Sequence, residues 1–322
     1  MINPGPAHLY SGMAPGIVGG HYAQAEAEID LARLAQGAGA ELIEGSVQAI
    51  DAAVRQVHLA DGRSLEYDYL SLNIGAPAGT GAVPGAREHA IGVKPFARLL
   101  ERWRSLRNRG ARIAIAGGGA AGIELAMAMK HAGAAAVTVF SDRFPFSGRL
   151  SERVLAALDR NGVRFMSSSP VLAVEPGPVV VTSPEKTPFD AVFWAAGTAA
   201  PPLVAAAGLA TDPGGYALVD ASLRSVSHPQ VFAAGDCASL AAAPHPRSGV
   251  YAVRHGAVLA ENLMRVVRGQ PLAAYEPQRR SLVLLSCGGK YAVAARGGWS
   301  AEGAWAWRWK DWIDRRWVRS FG

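Results

Sequence analysis

The middle of the chain alternates short apolar runs with amphipathic stretches. Residues 112–116 and Ala136–Phe140 are mostly apolar runs of strand length, whereas Ile123–His131 and Ser151–Asn161 have the length and apolar spacing of helices. Further apolar runs continue to Trp194. Strands that alternate with helices are typical of a parallel sheet, so this part of the chain predicts an α/β fold.

The flanking segments carry their own pattern. Val54–Leu59 and Ser64–Leu72 flank Asp61-Gly62, a pair that favours a tight turn, so they predict a hairpin. The remaining predicted elements are a basic amphipathic helix within residues 89–112, the strand Val231–Ala234, a helix from about Tyr251 to Val267, and the strands Ser281–Leu285 and Tyr291–Ala295.

A glycine-rich turn joins the strand at 112–116 to the helix that follows. In Gly117-x-Gly119-x-x-Gly122 the first glycine allows the tight turn, and the second lets the backbone approach a pyrophosphate. The third lets the helix pack closely on the strand. The helix N-terminus would present free N–H groups and a partial positive charge to phosphates. This context predicts a dinucleotide site.

The next strand ends at Phe140, where a ribose-binding acid is expected about 20 residues after the glycines. Asp142 is placed to bind a ribose 2′-hydroxyl, whereas Ser141 and Arg143 would suit a 2′-phosphate. A solvated turn explains the same residues. The choice between NAD and NADP therefore stays open.

A second nucleotide signal lies far downstream, where the strand Val231–Ala234 runs into Gly235-Asp236. One such signal indicates one nucleotide, and the pair indicates two, a nicotinamide and a flavin. A second glycine-rich turn, which should open the flavin half, is not found in the sequence.

Composition narrows the function classes. The 322 residues are 50% hydrophobic and 18% charged, which indicates a globular protein with room for two domains. The formal charge of +6 comes without any nucleic-acid motif, so no nucleic acid is expected as a partner. The histidines show no metal-ligand spacing, and two cysteines fit a reducing compartment. We find no secretory signal or membrane span and expect a cytoplasmic protein.

Taken together, the motifs resemble the pyridine nucleotide-disulfide oxidoreductase superfamily, particularly its type II NADH dehydrogenase-like members. They resemble most the oxidoreductase module found fused to selenide, water dikinase. The stretches that carry the resemblance are Tyr10–Gly16, the glycine turn with Glu124, Phe232–Ala238, Gly249–Arg254 and Trp309–Arg316.

The resemblance implies two Rossmann-like domains and a small C-terminal α+β segment. The FAD-binding domain would comprise residues 1–88 and 211–275, split around an NAD(P)-binding domain at 89–210, with a C-terminal interface segment at 276–322. The family's flavin half opens with a strand, glycine turn and helix of about 30 residues. This chain starts after that βα unit, so we expect the FAD domain to be truncated and translation to begin upstream.

The resemblance also implies roles for individual residues. Asp236 would bind the ribityl or pyrophosphate portion of the flavin, and the helix that begins near Val250 would direct its positive end at the flavin ring. Glu124 would be the catalytic carboxylate near the nicotinamide and the flavin. The other cofactor contacts implied are Pro15, Gly75 and Gly197, although Asn73-Ile74 before Gly75 departs from the family's Ala-Thr.

The sequence therefore predicts an FAD-dependent NAD(P)H oxidoreductase. Hydride would pass from NAD(P)H to flavin, and electrons to a small-molecule acceptor, either quinone-like or related to selenium and selenophosphate synthesis. Residues 1–88 lack cysteine, which disfavours dithiol chemistry. The alternative is a non-catalytic nucleotide-binding module that has lost its flavin.

The Trp-rich tail leaves two interpretations open. At helical spacing Trp305, Trp309, Trp312, Ile313 and Trp317 share one face. Tryptophan beside arginine suits the inner surface of a membrane, to which the protein would bind peripherally. The alternative is that this face packs on the protein's own flavin domain, and Asp311 and Asp314, which dilute the positive charge, favour that packing.

Overall fold

The protein is described by a computed structural model that covers residues 1–278 and 280–322. The chain forms two compact units that are interleaved in sequence. The first unit comprises Met1–Ala7, Leu31–Ala76 and the segment that begins at Ala200. The second comprises His8–Asp30, Pro77–Ala199 and Arg280–Gly322. Which unit binds which nucleotide stays a prediction.

The strands and helices follow the chain in this order. The strands are β1 (Ile2–Asn3), β2 (Ala7–Leu9), β3 (Glu28–Asp30), β4 (Ile43–Glu44), β5 (Val47–Asp51), β6 (Gln56–Leu59), β7 (Ser64–Glu66), β8 (Leu70–Leu72), β9 (Ile91–Gly92), β10 (Arg112–Ala116), β11 (Ala136–Phe140), β12 (Val163–Met166), β13 (Ala173–Glu175), β14 (Val179–Val181), β15 (Lys186–Pro188), β16 (Ala191–Trp194), β17 (Ala217–Val219), β18 (Val231–Ala233), β19 (Ala238–Leu240), β20 (Val283–Ser286), β21 (Ala292–Arg296) and β22 (Trp299–Gly303). The helices are α1 (Ala14–Val18), α2 (Leu31–Gly37), α3 (Ala86–His89), α4 (Phe96–Leu106), α5 (Ala120–His131), α6 (Gly148–Arg160), α7 (Pro202–Ala206), α8 (Gly249–Val267) and α9 (Ala304–Arg319).

The second unit is built on the parallel sheet that the alternating pattern predicts. Its strand order is β12-β11-β10-β16-β9, and every pairing is parallel. Residues 113–116 of β10 are at most 1% exposed, because helices cover both faces of such a sheet. The predicted helices on either side of β11 are confirmed as α5 and α6.

The C-terminal segment completes the second unit. The strands β20, β21 and β22 form an antiparallel sheet, of which the last strand was not predicted. Leu285, Val293 and Trp307 belong to the same buried cluster as Ile113 and Ile123. No helix within the described ranges 1–278 and 280–322 is long and apolar enough to cross a membrane.

The first unit combines short parallel and antiparallel pairings. Here β5, β6 and β7 form an antiparallel sheet, with Gly62 at a φ of +90° in the predicted turn. The hairpin ends at Glu66, so its second strand is shorter than predicted. Residues 70–72 form β8 instead, which pairs in parallel with β18. Because the two strands are parallel, the carboxyl ends of β8 and β18 lie at the same edge.

The helix α9 buries a different face from the one that its spacing predicts. Trp305, Trp309 and Trp312 are 41%, 37% and 55% exposed, whereas Trp307 and Asp314 are buried. Trp307 stacks on Tyr22 with ring centroids 6.4 Å apart, which turns that side of the helix inward. The expected packing of the tryptophan stripe was therefore wrong for these three exposed side chains.

Candidate functional site

The glycine turn follows β10 in the second unit and leads directly into α5. Gly117 has a φ of +113°, and a Cβ there would lie 2.5 Å from the backbone of Ala195 and Ala196. A Cβ on Gly122 would overlap the carbonyl oxygen of Gly117. A Cβ on Gly119 would meet no described atom within 4 Å beyond its chain neighbours. Packing of the turn therefore requires the outer glycines, whereas Gly119 faces open space.

The same open space lies at the N-terminus of α5. Gly119 is the N-cap residue with an extended backbone, and no side chain in the described part of the chain caps the helix. Ile123 is the first residue whose N–H bonds back to Gly119. The preceding N–H groups of the first turn lack intrahelical partners, as in any helix. Unpaired N–H groups beside open space fit the pyrophosphate of a dinucleotide.

Two further predicted residues follow neighbouring strands of the same sheet. Asp142 lies just after β11, and Gly197, with a φ of +68°, lies just after β16. Both strands pair in parallel with β10. Their carboxyl ends therefore share one edge with the glycine turn, which is where open α/β sheets bind ligands.

Ser141 and Asp142 differ in their exposure to solvent and in their hydrogen bonds. Asp142 is exposed, and its Oδ1 accepts a hydrogen bond from the backbone N–H of Arg143 at 2.9 Å. Ser141 is only 8% exposed, and its hydroxyl donates to the carbonyl oxygen of Arg143 at 2.7 Å. The serine is thus engaged within the turn, and the aspartate is the group available to a ribose.

Glu124 is on α5, two residues after the last glycine of the turn. Its Oε1 accepts a hydrogen bond from the backbone N–H of Ser286 at 2.8 Å. Burial raises the pKa of the Glu124 carboxyl, and the positive charge of Lys310 opposes that rise. A carboxyl with a raised pKa is suited to carry a proton closer to neutral pH.

Lys310 and Asp314 form a buried ion pair on α9. Their Nζ and Oδ2 atoms are 2.7 Å apart, and the side chains are 14% and 6% exposed. The same ammonium donates to the carbonyl oxygen of Gly12 at 3.0 Å. Burial raises the pKa of Asp314, whereas Lys310 lowers it.

Glu124, Lys310 and Asp314 form a cluster in which one lysine interacts electrostatically with two carboxyl groups. Burial acts to lower the pKa of Lys310, but Glu124 and Asp314 outweigh it and the pKa is raised. The ammonium is therefore retained, and two carboxyl groups share its charge. Sequence reasoning did not identify Lys310 or Asp314 as functional residues. Their four-residue spacing, in a stretch that resembles the family, was the available signal.

The first unit gathers its predicted residues where β8 and β18 end. Gly75 follows β8 and has a φ of +64°, while Gly235 follows β18 with a φ of +69°. A Cβ on Gly235 would lie 2.9 Å from Oδ1 of Asn73, and the positive φ would strain any residue with a side chain there. Asp236 is the next residue in this turn.

The other predicted residues lie in helices. Val250 is 41% exposed and is the second residue of α8, in the first unit. Pro15 is buried in α1 of the second unit, where it occupies the first turn. Cys237 is buried, with its sulfur 3.5 Å from the carbonyl oxygen of Leu72, and burial raises the pKa of its thiol. These contacts fit a packing role for the cysteine.

The sequence profile of the pyridine nucleotide-disulphide oxidoreductases matches residues 1–256. The chain belongs to this family. Pyridine nucleotide-disulphide oxidoreductases of this kind are FAD-dependent and use NAD(P)H, so the predicted class and cofactors are confirmed. The predicted α/β fold with Rossmann-type domains is confirmed as well.

Relatives of this oxidoreductase have been named in several organisms. An NADH dehydrogenase-like protein of Mycobacterium tuberculosis is 31% identical over 280 residues, which cover 77% of this chain and 70% of the relative. The demethylphylloquinone reductase of Synechocystis is 25% identical over 276 residues, 75% of this chain and 66% of that one. The crystal structure of the sulfide:quinone oxidoreductase of Aquifex aeolicus has the same fold, with a TM-score of 0.80 at 18% identity, and covers 100% of this chain and 85% of that one.

Proposed function

We propose that this oxidoreductase passes electrons from NAD(P)H, through FAD, to a quinone-type small molecule. The observation that carries the proposal is the cluster of Glu124, Lys310 and Asp314 in the unit that bears the glycine turn. Quinone reduction follows NAD(P)H + H⁺ + quinone → NAD(P)⁺ + quinol. One proton must therefore come from outside the nucleotide, and a buried acid with a raised pKa is suited to supply it.

The bound cofactors would supply hydride and electron transfer, and the protein would supply binding, orientation and proton handling. The N-terminus of α5, with Gly117, Gly119 and Gly122, would hold the pyrophosphate of NAD(P)H. Asp142 would bind its ribose, and the backbone at Gly197 would position the nicotinamide.

Other residues would serve the flavin and the acceptor. Gly75, Gly235, Asp236 and the start of α8 at Val250 would hold FAD, and the resemblance also implies Pro15. Glu124 would hold a proton on its carboxyl group while the Ser286 N–H fixes its direction. Lys310 would keep a positive charge in the cluster, since its ammonium donates to the Gly12 carbonyl and to Asp314.

The names of relatives support the choice of acceptor. Demethylphylloquinone reductase and sulfide:quinone oxidoreductase both act at quinones according to their names. A selenium compound, the acceptor expected from the resemblance to the module fused to selenide, water dikinase, is the alternative. No contact among the described residues favours it.

Anaerobic spectroscopy tests this function. The purified chain is mixed with FAD, reduced with NADH or NADPH, and then given a soluble short-chain quinone or selenite. We expect a perturbed flavin band that bleaches with one nucleotide and returns with the quinone. Reoxidation by selenite alone would overturn the quinone assignment, and a spectrum of free FAD that does not bleach would overturn the whole proposal.

A second observation favours attachment to a membrane surface, where long-chain quinones dissolve. Trp299, Trp305 and Trp309 form an exposed aromatic row with successive ring centroids 6.3 Å apart. Trp312 is 55% exposed, with the Arg316 guanidinium 5.2 Å from its ring centre. We propose that these rings enter the headgroup region at the inner face of the membrane while arginine contacts lipid phosphate.

A further inference from the structure

Four aromatic side chains cluster behind the Gly235–Asp236 turn in the first unit. His255 lies on the inner face of α8 and is 0% exposed. The ring of His245 stacks on Tyr251, with centroids 4.4 Å apart and planes 8° apart. Tyr275 meets the ring of His255 edge-on at 4.5 Å. Both imidazoles are therefore fixed in orientation by neighbouring rings.

The hydrogen bonds of the two histidines determine where their protons lie. The backbone N–H of Gly235 is 3.1 Å from Nδ1 of His255. A backbone N–H only donates, so Nδ1 must accept, and the neutral ring then carries its proton on Nε2. That Nε2 is 3.0 Å from Nε2 of His245, which must accept in turn.

The chain of donors ends on the backbone. With Nε2 of His245 accepting, its neutral ring carries the proton on Nδ1, which is 3.1 Å from the carbonyl oxygen of Pro246. A carbonyl only accepts, so this last bond agrees with the assignment made from the other end. The hydrogen bonds from Gly235 through His255 and His245 to Pro246 hold together only while both imidazoles are neutral.

We infer that His255 is a positioning residue for the flavin-binding turn, which it holds through the Gly235 N–H, while His245 fixes the His255 ring. The inference rests on the proposed role of Gly235 and Asp236 in binding FAD. Gly235 is buried with a φ of +69°, and its N–H would otherwise be an unpaired donor. Without the imidazole the turn would relax, and Asp236 would lose its fixed direction.

The surroundings keep the His255 ring neutral near pH 7. Burial lowers the pKa of His255 to about 4, and His245 adds to the effect, whereas Asp236 opposes it. The other titratable groups around the cluster are Tyr251, Tyr275 and Arg254, whose charge acts on Tyr275. Protonation of His255 would set an Nδ1–H against the Gly235 N–H and break the contact.

Three substitutions separate the two ends of the imidazole. In His255→Asn the amide oxygen can take the place of Nδ1, so the bond to Gly235 is kept and the link to His245 is lost. In His255→Gln the amide reaches toward His245 but leaves Gly235 unpaired. His255→Leu removes both contacts.

The measurement is the dissociation constant of FAD, followed by quenching of flavin fluorescence from pH 5 to 8. We expect about tenfold or greater weakening for His255→Leu and His255→Gln, and recovery to within about threefold for His255→Asn. Because burial lowers the pKa of His255 to about 4, the ring stays neutral over this range, and wild-type affinity should change little between pH 8 and pH 5 on its account. Thermal melting of each variant checks that the first unit, which contains His255, is folded.

Two results would overturn the inference. If His255→Asn weakens FAD binding as much as His255→Leu, the ring does not act through Nδ1. If all three variants bind FAD like the wild type, the turn needs no anchor. Both results are distinct from failure of the proposed function, in which the wild-type chain itself would not bind FAD or reduce quinone.

Discussion

The backbone N–H of Ser286 donates to Oε1 of Glu124 at 2.8 Å, so the end of β20 fixes a carboxylate on the helix that follows the glycine turn. The C-terminal segment thus contributes directly to the predicted site of the second unit. It also supplies Lys310, whose charge opposes the rise in the pKa of Glu124. We therefore expect Glu124 to matter more for the delivery of a proton to the acceptor than for the transfer of hydride.

Glu124→Gln should slow quinone reduction without slowing the reduction of ferricyanide, which takes up no proton. General acids contribute about 10²- to 10⁴-fold, so we expect quinone turnover to fall by about 10². The amide keeps an acceptor for Ser286. Steady-state rates with both acceptors at several pH values would check this.

Stability provides the control for that variant. A carboxyl whose folded pKa is raised above its unfolded value lowers stability once the pH exceeds the unfolded pKa. Glu124→Gln removes this effect and should not lower the melting temperature at pH 7.

Glu152→Gln, on the exposed side of α6, is the matched substitution and should leave the rates with quinone and with ferricyanide unchanged. Equal loss with both acceptors would refute a proton-specific role.

The glycines of the turn should separate folding from binding. A side chain at Gly119 enters open space, so Gly119→Val should fold normally and lose NAD(P)H affinity by about tenfold or more. Gly122→Ala overlaps the carbonyl of Gly117 and should cost about 1–3 kcal/mol of stability. Thermal melts and NADH titrations distinguish the two. Normal NADH binding by Gly119→Val would reject the phosphate site.

The turn after β11 should favour NADH over NADPH. Asp142 is exposed and would repel a 2′-phosphate, while the Ser141 hydroxyl is engaged with the carbonyl of Arg143. Asp142→Asn should reduce the preference for NADH by about tenfold in kcat/KM. The ratio of kcat/KM for the two nucleotides measures this. A wild-type preference for NADPH would show that Arg143 dominates instead.

Local pattern was enough for the parts of the fold that are apolar and continuous. The run at 112–116 and the turn after it predicted β10 and α5, because a strand buried on both faces has few polar interruptions. The prediction that the second hairpin strand continues to Leu72 was wrong, because the sequence of a short apolar strand does not show which strand it pairs with. Residues 70–72 pair with β18, about 160 residues away.

The acidic cluster shows a different limit of sequence reasoning. The family resemblance implied Glu124, but Lys310, whose charge acts on it, is distant in the chain and is buried by tertiary packing. The helical spacing of α9 identified an aromatic stripe and missed Trp307, whose stacking on Tyr22 decides which face is buried. Amphipathic pattern alone cannot rank two apolar faces of one helix.

The exposed tryptophans should determine binding to lipid vesicles. We expect the triple variant Trp305→Ser, Trp309→Ser and Trp312→Ser to sediment with anionic vesicles at least about tenfold less than the wild type. Each side chain is exposed, so the melting temperature should change little. Leu155→Ser, at an exposed apolar position on α6, is the matched control. Unchanged sedimentation of the triple variant would exclude this face as the membrane contact.

The stability of the first unit should fall as the pH is lowered from 6.5 toward 4. The folded pKa of His255 is about 4, below the ordinary value of 6.5, so the unfolded chain binds the proton first as the pH falls. The contribution of His255 to the free energy of unfolding is fully present above pH 6.5 and declines between pH 6.5 and pH 4. The total loss from this group is roughly 3 kcal/mol. Thermal melts at pH 7 and 4.5 should therefore show a smaller loss for His255→Asn than for the wild type. His58→Asn, in the same unit, is the control substitution. An equal loss in the wild type and His255→Asn would mean that His255 is not held neutral by the fold.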